Sequence, residues 1–595
     1  MSKYYTDIYD FIISSETNYA KEVKLPSGKM WGMKHHINRS VVYRDSDLVD
    51  DKNRMTPVKN ITRPNLNLQY RTEDIDVKDV QIYVENQDKF HLSFLIKKYH
   101  DDVFVIENDL ETFFDQLNQS RIDFGGGLSK KLADARECVP LESIVFCDQR
   151  DILSRPIGLK HSYAPDELLD MGKRGWGETS NGATVSLKEL LMLSRDNQRQ
   201  DVSEGDIEIY EVHGNVPKRF ADATDDSGEY ESRIFICAFY QKKDSTSKQG
   251  VILYTAVEEK SPFKLIKRDP IYGRALGFGG AEEIFEDQVW TNYAQIRKLQ
   301  MMDSASKTLL QTTDPNFTNR NNTDDMDNNE VLVLADGKTL SQVDTFPRNF
   351  RLFDNFVVEL EEHAKNMSAA QDPIQGKPPT AGTPFSSLQA QIQQSMGLHD
   401  YRRGQFAKHI EEIYVQDYLP MIRKNLTKGA KFLSELTVDE LQTVAEKIAT
   451  NKSNEFVKER ILQGELVTEE EIEAHKEKTK EDFKRKGSKH FIEILKGELD
   501  NAMLGVKVSV AGKSKDLGKA MAIIEGVMRF AMANPEGFMT VMQIPGMATG
   551  YNQIIEYAGL SPVNFSGVDK MLEQMRLQQQ QAKQAPPEPV APAMV

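Results

Sequence analysis

The stretch GGAEEIFEDQVWTNYAQIRKLQMMDSASKTLLQ (279–311), with VLVLADGKTL (331–340) and FRLFDNFVVELEEHAKNM (350–367), decides the fold. In its first part, apolar residues recur at spacings of three and four, the pattern of an amphipathic helix. These residues are Phe285, Val289, Tyr293, Ile296, Leu299, Met302, Ala305 and Leu309. No Pro or Gly interrupts them, so the pattern predicts one helix over about 281–311, roughly 45 Å long.

A polar excursion follows this helix. Residues 312–327 are rich in Asn and Asp, and the turn sequence ADGK (335–338) stands between two short apolar runs. Asp-Gly between apolar runs favours a β-hairpin, which would pair residues 331–334 with residues 340–343. The residues predicted for this tip are Asn329, Glu330, Val331, Leu332, Val333, Asp336, Gly337 and Lys338.

A second stripe of helical period follows the excursion and predicts a helix over residues 349–370. Its apolar positions are Phe350, Phe353, Val357, Leu360, Ala364 and Met367. Two long helices thus flank a small β tip. An ordinary helical hairpin with a long loop would show the same pattern, so the neighbouring segments have to decide between the two interpretations.

The composition limits the classes of protein. The 595 residues carry a formal net charge of −16, which argues against a broad basic surface that grips nucleic acid, because tight phosphate binding needs clustered Lys and Arg. We expect no signal peptide in residues 1–15, which lack a basic segment before an apolar core, and no membrane-spanning helix. The three cysteines, Cys138, Cys147 and Cys237, form no CxxC pair, which indicates assembly in a reducing cytoplasm.

The flanking segments differ in type. Residues 138–260 contain short runs rich in Ile, Val, Phe and Tyr, which predict an antiparallel sheet with one solvent-exposed face and two inserted helices. Residues 371–385 contain four prolines and two glycines, so they predict an irregular loop. A helix is expected from about residue 386 to Pro420, interrupted near Gly397. The Gln-, Pro- and Ala-rich residues 571–595 predict a disordered tail.

Common catalytic and metal-binding motifs do not occur. The sequence contains no GxxxxGK[ST], no HExxH and no GxSxG. The glycines at 125–127 favour a structural turn over a phosphate loop, and residues 274–280 favour a flexible joint before the long helix. His35-His36 suits a surface pair better than a metal site, and Glu330 stands where a calcium loop needs Gly. We therefore expect no metal, no cofactor and no enzymatic activity.

Several pieces of the chain follow one another in a familiar order. They are VPLESI (139–144) before the β-rich block, YEVHGNVP (210–217) within it, PIYGR (270–274) leading into the long helix with Asn292, the hairpin excursion, and PPTAGTP (378–384) before another helix. This order resembles that of the portal proteins of tailed double-stranded DNA bacteriophages. The resemblance covers roughly residues 130–430.

The resemblance implies an α+β, mainly α, ring-forming subunit with a β-rich wing, two stem helices, a β-hairpin clip and a helical C-terminal crown. It divides the chain into residues 1–130 (N-terminal mixed α/β part of the wing), 131–262 (β-rich wing), 263–311 (joint and first stem helix), 312–348 (clip), 349–370 (second stem helix), 371–385 (tunnel loop), 386–430 (helix toward the crown), 431–570 (crown or C-terminal region) and 571–595 (tail).

The resemblance also implies a function in the virion. The subunit would form a homo-oligomeric, dodecameric ring at one capsid vertex, assembled in the host cytoplasm, through which DNA is packaged and later ejected. Its partners would be the major capsid protein, the large terminase subunit, a head-tail adaptor or neck protein, and double-stranded DNA that passes without sequence specificity; no membrane is involved. The clip would dock the terminase and then the neck.

Two groups of residues receive roles through the resemblance. The residues of the tunnel loop that would face DNA are Gln375, Gly376, Lys377, Pro378, Pro379, Thr380, Gly382 and Thr383. The residues that would form the stem interface between subunits are Phe285, Val289, Tyr293, Ile296, Phe353, Val357 and Leu360.

Two other classes of protein remain open from the sequence. A nucleic-acid-processing enzyme subunit would show ATPase or nuclease activity that depends on a single carboxylate, although the missing nucleotide-binding loop argues against it. Another capsid scaffold or adaptor protein would differ from a portal in the mass of its assembly.

Overall fold

The computed structural model describes residues 2–49, 59–84, 96–133, 135–154, 156–196, 207–221, 228–241, 248–306, 310–321, 332–343, 350–370, 374, 385–428, 438–463, 467–482 and 504–508. The fold is α+β and mainly α. Unit 1 comprises Met1–Asp74 and Phe113–Phe406, and unit 2 comprises Ile75–Thr112 and Ala407–Val595. The predictions for the tunnel loop residues 375–383 and for the tail lie outside the described residues.

The longer α-helices are α1 (Ser2–Tyr19), α2 (Met33–Asp45), α3 (Thr62–Thr72), α4 (Leu110–Phe124), α5 (Pro165–Asp170), α6 (Leu187–Asp196), α7 (Phe285–Ser306), α8 (Phe350–Met367), α9 (Phe385–Ile413), α10 (Leu419–Lys428), α11 (Val438–Leu462) and α12 (469–482). Single helical turns occupy Val105–Glu107, Gly280–Glu283 and Phe317–Arg320, and π-helical turns occupy His100–Phe104 and Tyr414–Tyr418.

The strands are β1 (Val23–Lys24), β2 (Met30–Trp31), β3 (Val80–Val84), β4 (Gly126–Lys131), β5 (Arg136–Val139), β6 (Ile144–Phe146), β7 (Ile157–Tyr163), β8 (Ile207–Pro217), β9 (Tyr230–Gln241), β10 (Lys248–Val257), β11 (Phe263–Lys267), β12 (Leu310–Thr312), β13 (Leu340–Gln342) and β14 (Leu504–Val508).

The main sheet of unit 1 is antiparallel, with strand order β10-β9-β8-β7-β6. This confirms the antiparallel sheet predicted for residues 138–260, but the expectation of one solvent-exposed face is wrong. Tyr210 and Val212 pack with α1 on one face, while Ile209 packs with α5 and α6 on the other. Side chains that alternate along β8 are therefore buried on both sides, because the inserted helices cover the second face.

The outer edge of β10 is also covered. The backbone N–H of Gly177 donates to Leu253 O at 2.8 Å, and that of Thr184 donates to Ile252 O at 2.8 Å. The Thr184 hydroxyl accepts from the backbone N–H of Ile252 at 2.9 Å. These bonds use peptide groups that an open edge strand would leave for another chain.

A smaller sheet, β11-β4-β5, begins at the glycine turn that ends α4. Gly125 has φ +80°, a conformation that favours glycine, so the structural-turn interpretation is confirmed. The expected flexible joint at 274–280 is wrong, because Gly277 donates to Gly125 O at 2.9 Å and Phe278 donates to Arg268 O at 3.0 Å. A Cβ at Gly277 would lie 1.6 Å from Arg268 O, so the segment is closely packed.

The first long helix is shorter than predicted. A turn at Ile284 separates the single helical turn Gly280–Glu283 from α7, and α7 ends at Ser306. Residues 310–312 belong to β12 instead of the helix. With 22 residues, α7 is about 33 Å long.

The hairpin of the excursion differs from the predicted one. Its turn at 335–338 is present, since Lys338 donates to Ala335 O at 3.0 Å and Gly337 has φ +72°. However, β13 pairs with β12, with Gln311 opposite Ser341. Residues 332–334 form no strand. The predicted pairing of 331–334 with 340–343 is therefore wrong, and the two ends of the excursion pair with each other.

The helix after the tunnel loop is longer than expected. α9 continues through Gly397 without interruption, and α10 includes Pro420, so both predicted breaks are wrong. Pro420 is the second residue of α10, which follows the π-helical turn Tyr414–Tyr418 directly. A π turn already departs from the regular i→i−4 bonding, so it can accommodate a residue that lacks an N–H.

Unit 2 combines helices with a two-stranded sheet. β14 pairs antiparallel with β3, with Val506 opposite Ile82. α11 and α12 meet through Phe456 and His475, whose rings stack with centroids 4.5 Å apart. In the described part of the chain, β14 covers 504–508 and the densely charged α12 covers 469–482.

Candidate functional site

The two stem helices, α7 and α8, pack along each other. Lys298 Nζ of α7 lies 2.6 Å from Asp354 Oδ1 of α8. Near the start of α7 and the end of α8, His363 Nδ1 of α8 lies 2.9 Å from Asp287 Oδ2 of α7. The two helices thus form one antiparallel pair that carries the small ladder β12–β13 at its far end.

The face of α7 that is buried within the chain is polar. Its buried side chains include Asp287, Gln288, Thr291 and Asn292. The Gln288 side-chain oxygen accepts from the backbone N–H groups of Ile61 and Thr62, at 2.8 and 3.1 Å. Its amide nitrogen donates to Lys59 O at 2.9 Å and to Asn292 Oδ1 at 2.7 Å. Gln288 therefore caps the start of α3 from another helix, where free N–H groups need a partner.

Replacing Gln288 by Ala is expected to lower the free energy of unfolding by about 1–3 kcal/mol, because the buried N–H groups of Ile61 and Thr62 lose their acceptor. Denaturant unfolding of the full chain measures this loss. The control is Gln295→Ala on the same helix, at a half-buried position, for which we expect a change within about 0.5 kcal/mol. Equal losses in the two variants would contradict the capping role.

The outward faces of the stem helices are apolar. On α7, Trp290 is 52% exposed and Met302 is 51% exposed; on α8, Leu352 is 65% exposed and Val358 is 53% exposed. Further exposed apolar side chains are Tyr293, Leu299, Phe356 and Met367. Large exposed apolar side chains grouped on one pair of helices mark a candidate interaction site.

The residues predicted for the stem interface differ in their exposure. Tyr293 is exposed, whereas Val357 is buried within the chain. The half-buried residues are Phe285, Val289, Ile296, Phe353 and Leu360. The sequence pattern did not indicate Trp290 or Leu352, which lie beside the predicted stripe on the outward surface.

An aromatic group with an arginine stands on the outward face of α7. The rings of Trp290 and Tyr293 meet edge to face with centroids 5.9 Å apart. The Arg297 guanidinium lies 5.2 Å from the centre of the Tyr293 ring and donates to its hydroxyl at 2.9 Å. Trp, Tyr and Arg are the residue types most enriched at the energetic centres of protein interfaces.

The tip is held together by Asp314. Its carboxylate accepts from the backbone N–H of Ala335 at 2.9 Å and of Asn316 at 3.0 Å, and it pairs with Arg320 at 3.0 Å. The bonds from Ala335 and Asn316 hold the pKa of Asp314 below its usual range. The tip is thus tied across the excursion by side-chain bonds as well as by the ladder.

The predicted clip residues lie on this tip where the structure describes them. Val333, 55% exposed, is fixed by Asn321, whose amide donates to Val333 O at 2.9 Å and accepts from its N–H at 2.7 Å. Leu332 is half-buried, and Asp336, Gly337 and Lys338 are in or next to the exposed turn. Residues 329–331 lie outside the described part of the chain.

The base of the stem contains a buried charged network, the Glu73 cluster, consisting of Glu73, Arg121, Arg268, Asp269, Glu283, His399 and Arg402. Arg121 Nη2 lies 3.0 Å from Glu73 Oε2, and Arg268 Nη2 lies 3.2 Å from Glu73 Oε1. Arg402 Nη1 lies 3.5 Å from Glu73 Oε1. Arg402 also pairs with Glu283 and Asp269. Three arginines thus face three carboxylates within unit 1.

Glu73 stays ionised near neutral pH. Burial raises the pKa of Glu73, but the charge of Arg268, the hydrogen bond with His399 and the charges of Arg121 and Arg402 outweigh it and hold the pKa far below its usual range. Burial lowers the pKa of Arg121 to about 10, against the opposing charge of Glu73. Charged groups that are buried and paired in this way link α3, α4, β11 and α9 to the start of the stem.

The sequence pattern does not predict this cluster, although one residue gives a signal. Arg402 precedes Phe406 and Ile410 at spacings of four, so it stands on the apolar face of its helix. A charged residue on such a face needs a buried partner. The partner, Glu73, lies in a distant part of the sequence and could not be identified from the pattern.

Other expected site features have plainer outcomes. The tunnel loop residues 375–383 lie outside the described residues. Among the described side chains, no group of three or more His, Cys, Asp or Glu residues could hold a metal ion. None of the described helices combines the length and apolarity needed to cross a membrane. In comparisons with known proteins, no family model and no curated sequence matches the chain.

Proposed function

We propose that the chain is the ring-forming portal subunit of a tailed double-stranded DNA bacteriophage, a structural channel and not an enzyme. The observation that carries the proposal is that α7 buries polar side chains within its own chain and exposes apolar ones. α7 turns Asp287, Gln288, Thr291 and Asn292 toward its own chain and exposes Trp290, Leu299 and Met302. A helix that exposes its apolar side chains gains stability when another surface covers them.

A second copy of the chain is the partner that suits this surface. In a ring with rotational symmetry, one subunit meets the next through unlike surfaces. The outward face of α7 carries Arg297 among aromatic rings, whereas the exposed residues of α8 include Glu359 and Glu362 beside Leu352 and Phe356. Both faces expose apolar side chains, and Arg297 is opposite in charge to Glu359 and Glu362, so a head-to-tail contact between α7 and α8 of adjacent copies would cover both faces.

The charge of the chain agrees with a channel that lets DNA slide. The formal net charge is −16, and a wall with many Lys and Arg contacts would retain phosphates by releasing counterions. DNA contacts would then be few, with Lys377 of the tunnel loop as one candidate. The tip around Val333 and Lys338 would meet the large terminase subunit and later the head-tail adaptor or neck protein, and other surfaces would meet the major capsid protein at the virion vertex.

The proposal predicts that the stem surface determines assembly. The wild-type chain should sediment as a closed ring, and electron microscopy should show a central channel. Replacing Trp290 and Leu352 by Glu together should shift the protein to monomers, because two charges would then have to be buried at each contact. The circular dichroism spectrum of the variant should remain close to that of the wild type, since both side chains are more than half exposed.

The matched control is Met192→Glu, because Met192 is 68% exposed but lies on α6, far from the stem in the sequence. This variant should still form rings. Wild-type protein that remains monomeric at every concentration would refute the proposal, and rings that persist in the Trp290/Leu352 variant would refute the assignment of the interface.

A further inference from the structure

A second set of buried ionisable side chains lies between the two larger sheets of unit 1. We name it the imidazole clamp; it consists of Lys130, His161, Glu211, His213 and Glu258. Lys130 belongs to β4 of the smaller sheet, and its Nζ lies 2.6 Å from Glu211 Oε1 on β8 of the main sheet. The His213 ring on β8 meets the Phe263 ring on β11 edge to face, with centroids 4.9 Å apart. The clamp is therefore part of the joint between the sheets.

His213 is enclosed by two carboxylates. Its side chain is 3% exposed. Nδ1 lies 2.9 Å from Glu258 Oε1, and Nε2 lies 2.9 Å from Glu211 Oε1 without the alignment of a hydrogen bond. A neutral imidazole has one N–H and no net charge, whereas an imidazolium has a positive charge that attracts both carboxylates even where a hydrogen bond is poorly aligned. The two distances of 2.9 Å therefore fit the protonated form.

The remaining charges around His213 also favour its protonation. His161, on β7, places Nε2 3.0 Å from Glu211 Oε2. Glu137, on β5, places Oε1 3.7 Å from Lys130 Nζ. The facing carboxylates are thus Glu137, Glu211 and Glu258, and the only permanent cation among these groups is Lys130. Positive charge on His213 helps to balance the carboxylates in this part of the joint.

The direction of the pKa shifts agrees with this geometry. Burial lowers the pKa of His213, but its contacts with Glu211 and Glu258 outweigh burial and raise the pKa above its usual value. Burial raises the pKa of Glu211, but His161, His213 and Lys130 outweigh burial and hold it far below its usual range. Glu211 therefore stays ionised when His213 changes its charge.

We propose that the imidazole clamp is a pH-sensitive joint, which holds the two sheets together while His213 is protonated and loosens when His213 loses its proton. A histidine whose pKa is raised by folding adds stability in full below its unfolded pKa, about 6.5, and this contribution is lost as the pH rises through the folded value. The joint is thus firm below the ordinary histidine pKa of about 6.5 and weakens as the pH rises through the raised pKa of His213. His161, whose side chain is 31% exposed, contacts the same carboxylate, Glu211, as His213.

The first test measures protonation in the wild-type full chain. Hydrogen–deuterium exchange at the C2 position of histidines, read by mass spectrometry between pH 5 and 10, reports the pKa of each histidine. We expect His213 to titrate above the usual value of about 6.5 and Glu258→Gln to move that titration to lower pH. A wild-type His213 that titrates at or below about 6.5, or a titration unmoved by Glu258→Gln, would overturn the proposal.

The second test measures the effect on stability. The thermal midpoint Tm of the wild type should fall by about 2–4 °C more between pH 6 and pH 9 than that of His213→Gln. His35→Gln, at an exposed position on α2, should follow the wild type. Parallel Tm profiles of the wild type and His213→Gln would refute the proposed joint. If His213→Gln does not fold, the wild-type titration and Glu258→Gln decide.

Discussion

Replacing Glu73 by Gln is expected to lower the free energy of unfolding by about 3–5 kcal/mol, the usual result when one partner of a buried ion pair is removed. Glu73 is fully buried and faces Arg121, Arg268 and Arg402. Glutamine keeps the size of the side chain but removes its negative charge. Three buried guanidinium groups would then share only two carboxylates.

Guanidinium unfolding of the full chain, followed by circular dichroism, measures this loss. The control is Glu259→Gln, because Glu259 is exposed, and its substitution should change the free energy of unfolding by less than about 0.5 kcal/mol. A Glu73→Gln variant as stable as this control would mean that the cluster contributes no more than a surface ion pair.

The contribution of Glu73 has a defined pH dependence. Folding holds its pKa far below the unfolded value of about 4.3. The stabilisation is therefore complete above that value and is lost as the pH falls toward the folded pKa. The difference between wild type and Glu73→Gln should be constant from pH 5 to 7 and shrink progressively below about pH 4.

Replacing Gly277 by Ala should cost at least about 3 kcal/mol, since a buried backbone cannot move aside without losing its own bonds. The new Cβ would lie 1.6 Å from Arg268 O and 2.9 Å from Gly125 O. Separating these segments would break the bonds from Gly277 to Gly125 and from Phe278 to Arg268. Thermal and denaturant unfolding measure the effect.

Gly397→Ala provides the opposite case. Gly397 lies within α9, and a Cβ there would have no neighbour within 4 Å. Alanine should stabilise the helix by about 0.5–1 kcal/mol, because glycine loses more backbone freedom on folding. If both substitutions left the free energy of unfolding unchanged, close packing would not explain why residue 277 is a glycine.

Local patterns predicted the positions of many elements but not what covers them. The alternation of apolar and polar residues in 206–217 indicates β8 correctly, because the two-residue period of a strand can be recognised from adjacent residues. The burial of both faces depends on α5 and α6, which enter between β7 and β8. No residue of β8 itself reports that these helices return to its second face.

The tip shows the same limit. The Asp-Gly signal placed the turn at 335–338 correctly, since turn conformation depends on the turn residues. The partner of β13 is β12, on the other side of the excursion. Pairing between strands so far apart in the sequence depends on the whole fold. The prediction that β13 pairs with the nearest apolar run, residues 331–334, is therefore wrong.

The candidate site was predicted in part for a related reason. Helical periodicity identified apolar positions such as Tyr293 and Phe353, but periodicity does not distinguish a face turned toward the chain from one turned outward. The structure makes this distinction at two positions of α7 that are two residues apart: Gln288 is buried and Trp290 is exposed.

The pairing of β12 with β13 closes the excursion at its root, so its length is largely independent of the stem. For a flexible loop whose ends are already fixed, each doubling in length costs only about 0.6 kcal/mol of closure entropy. A peptide tag inserted beside the exposed turn at 335–338 should therefore leave α7 and α8 paired. The stem would act as a constant support on which evolution can exchange one tip for another to suit a different partner.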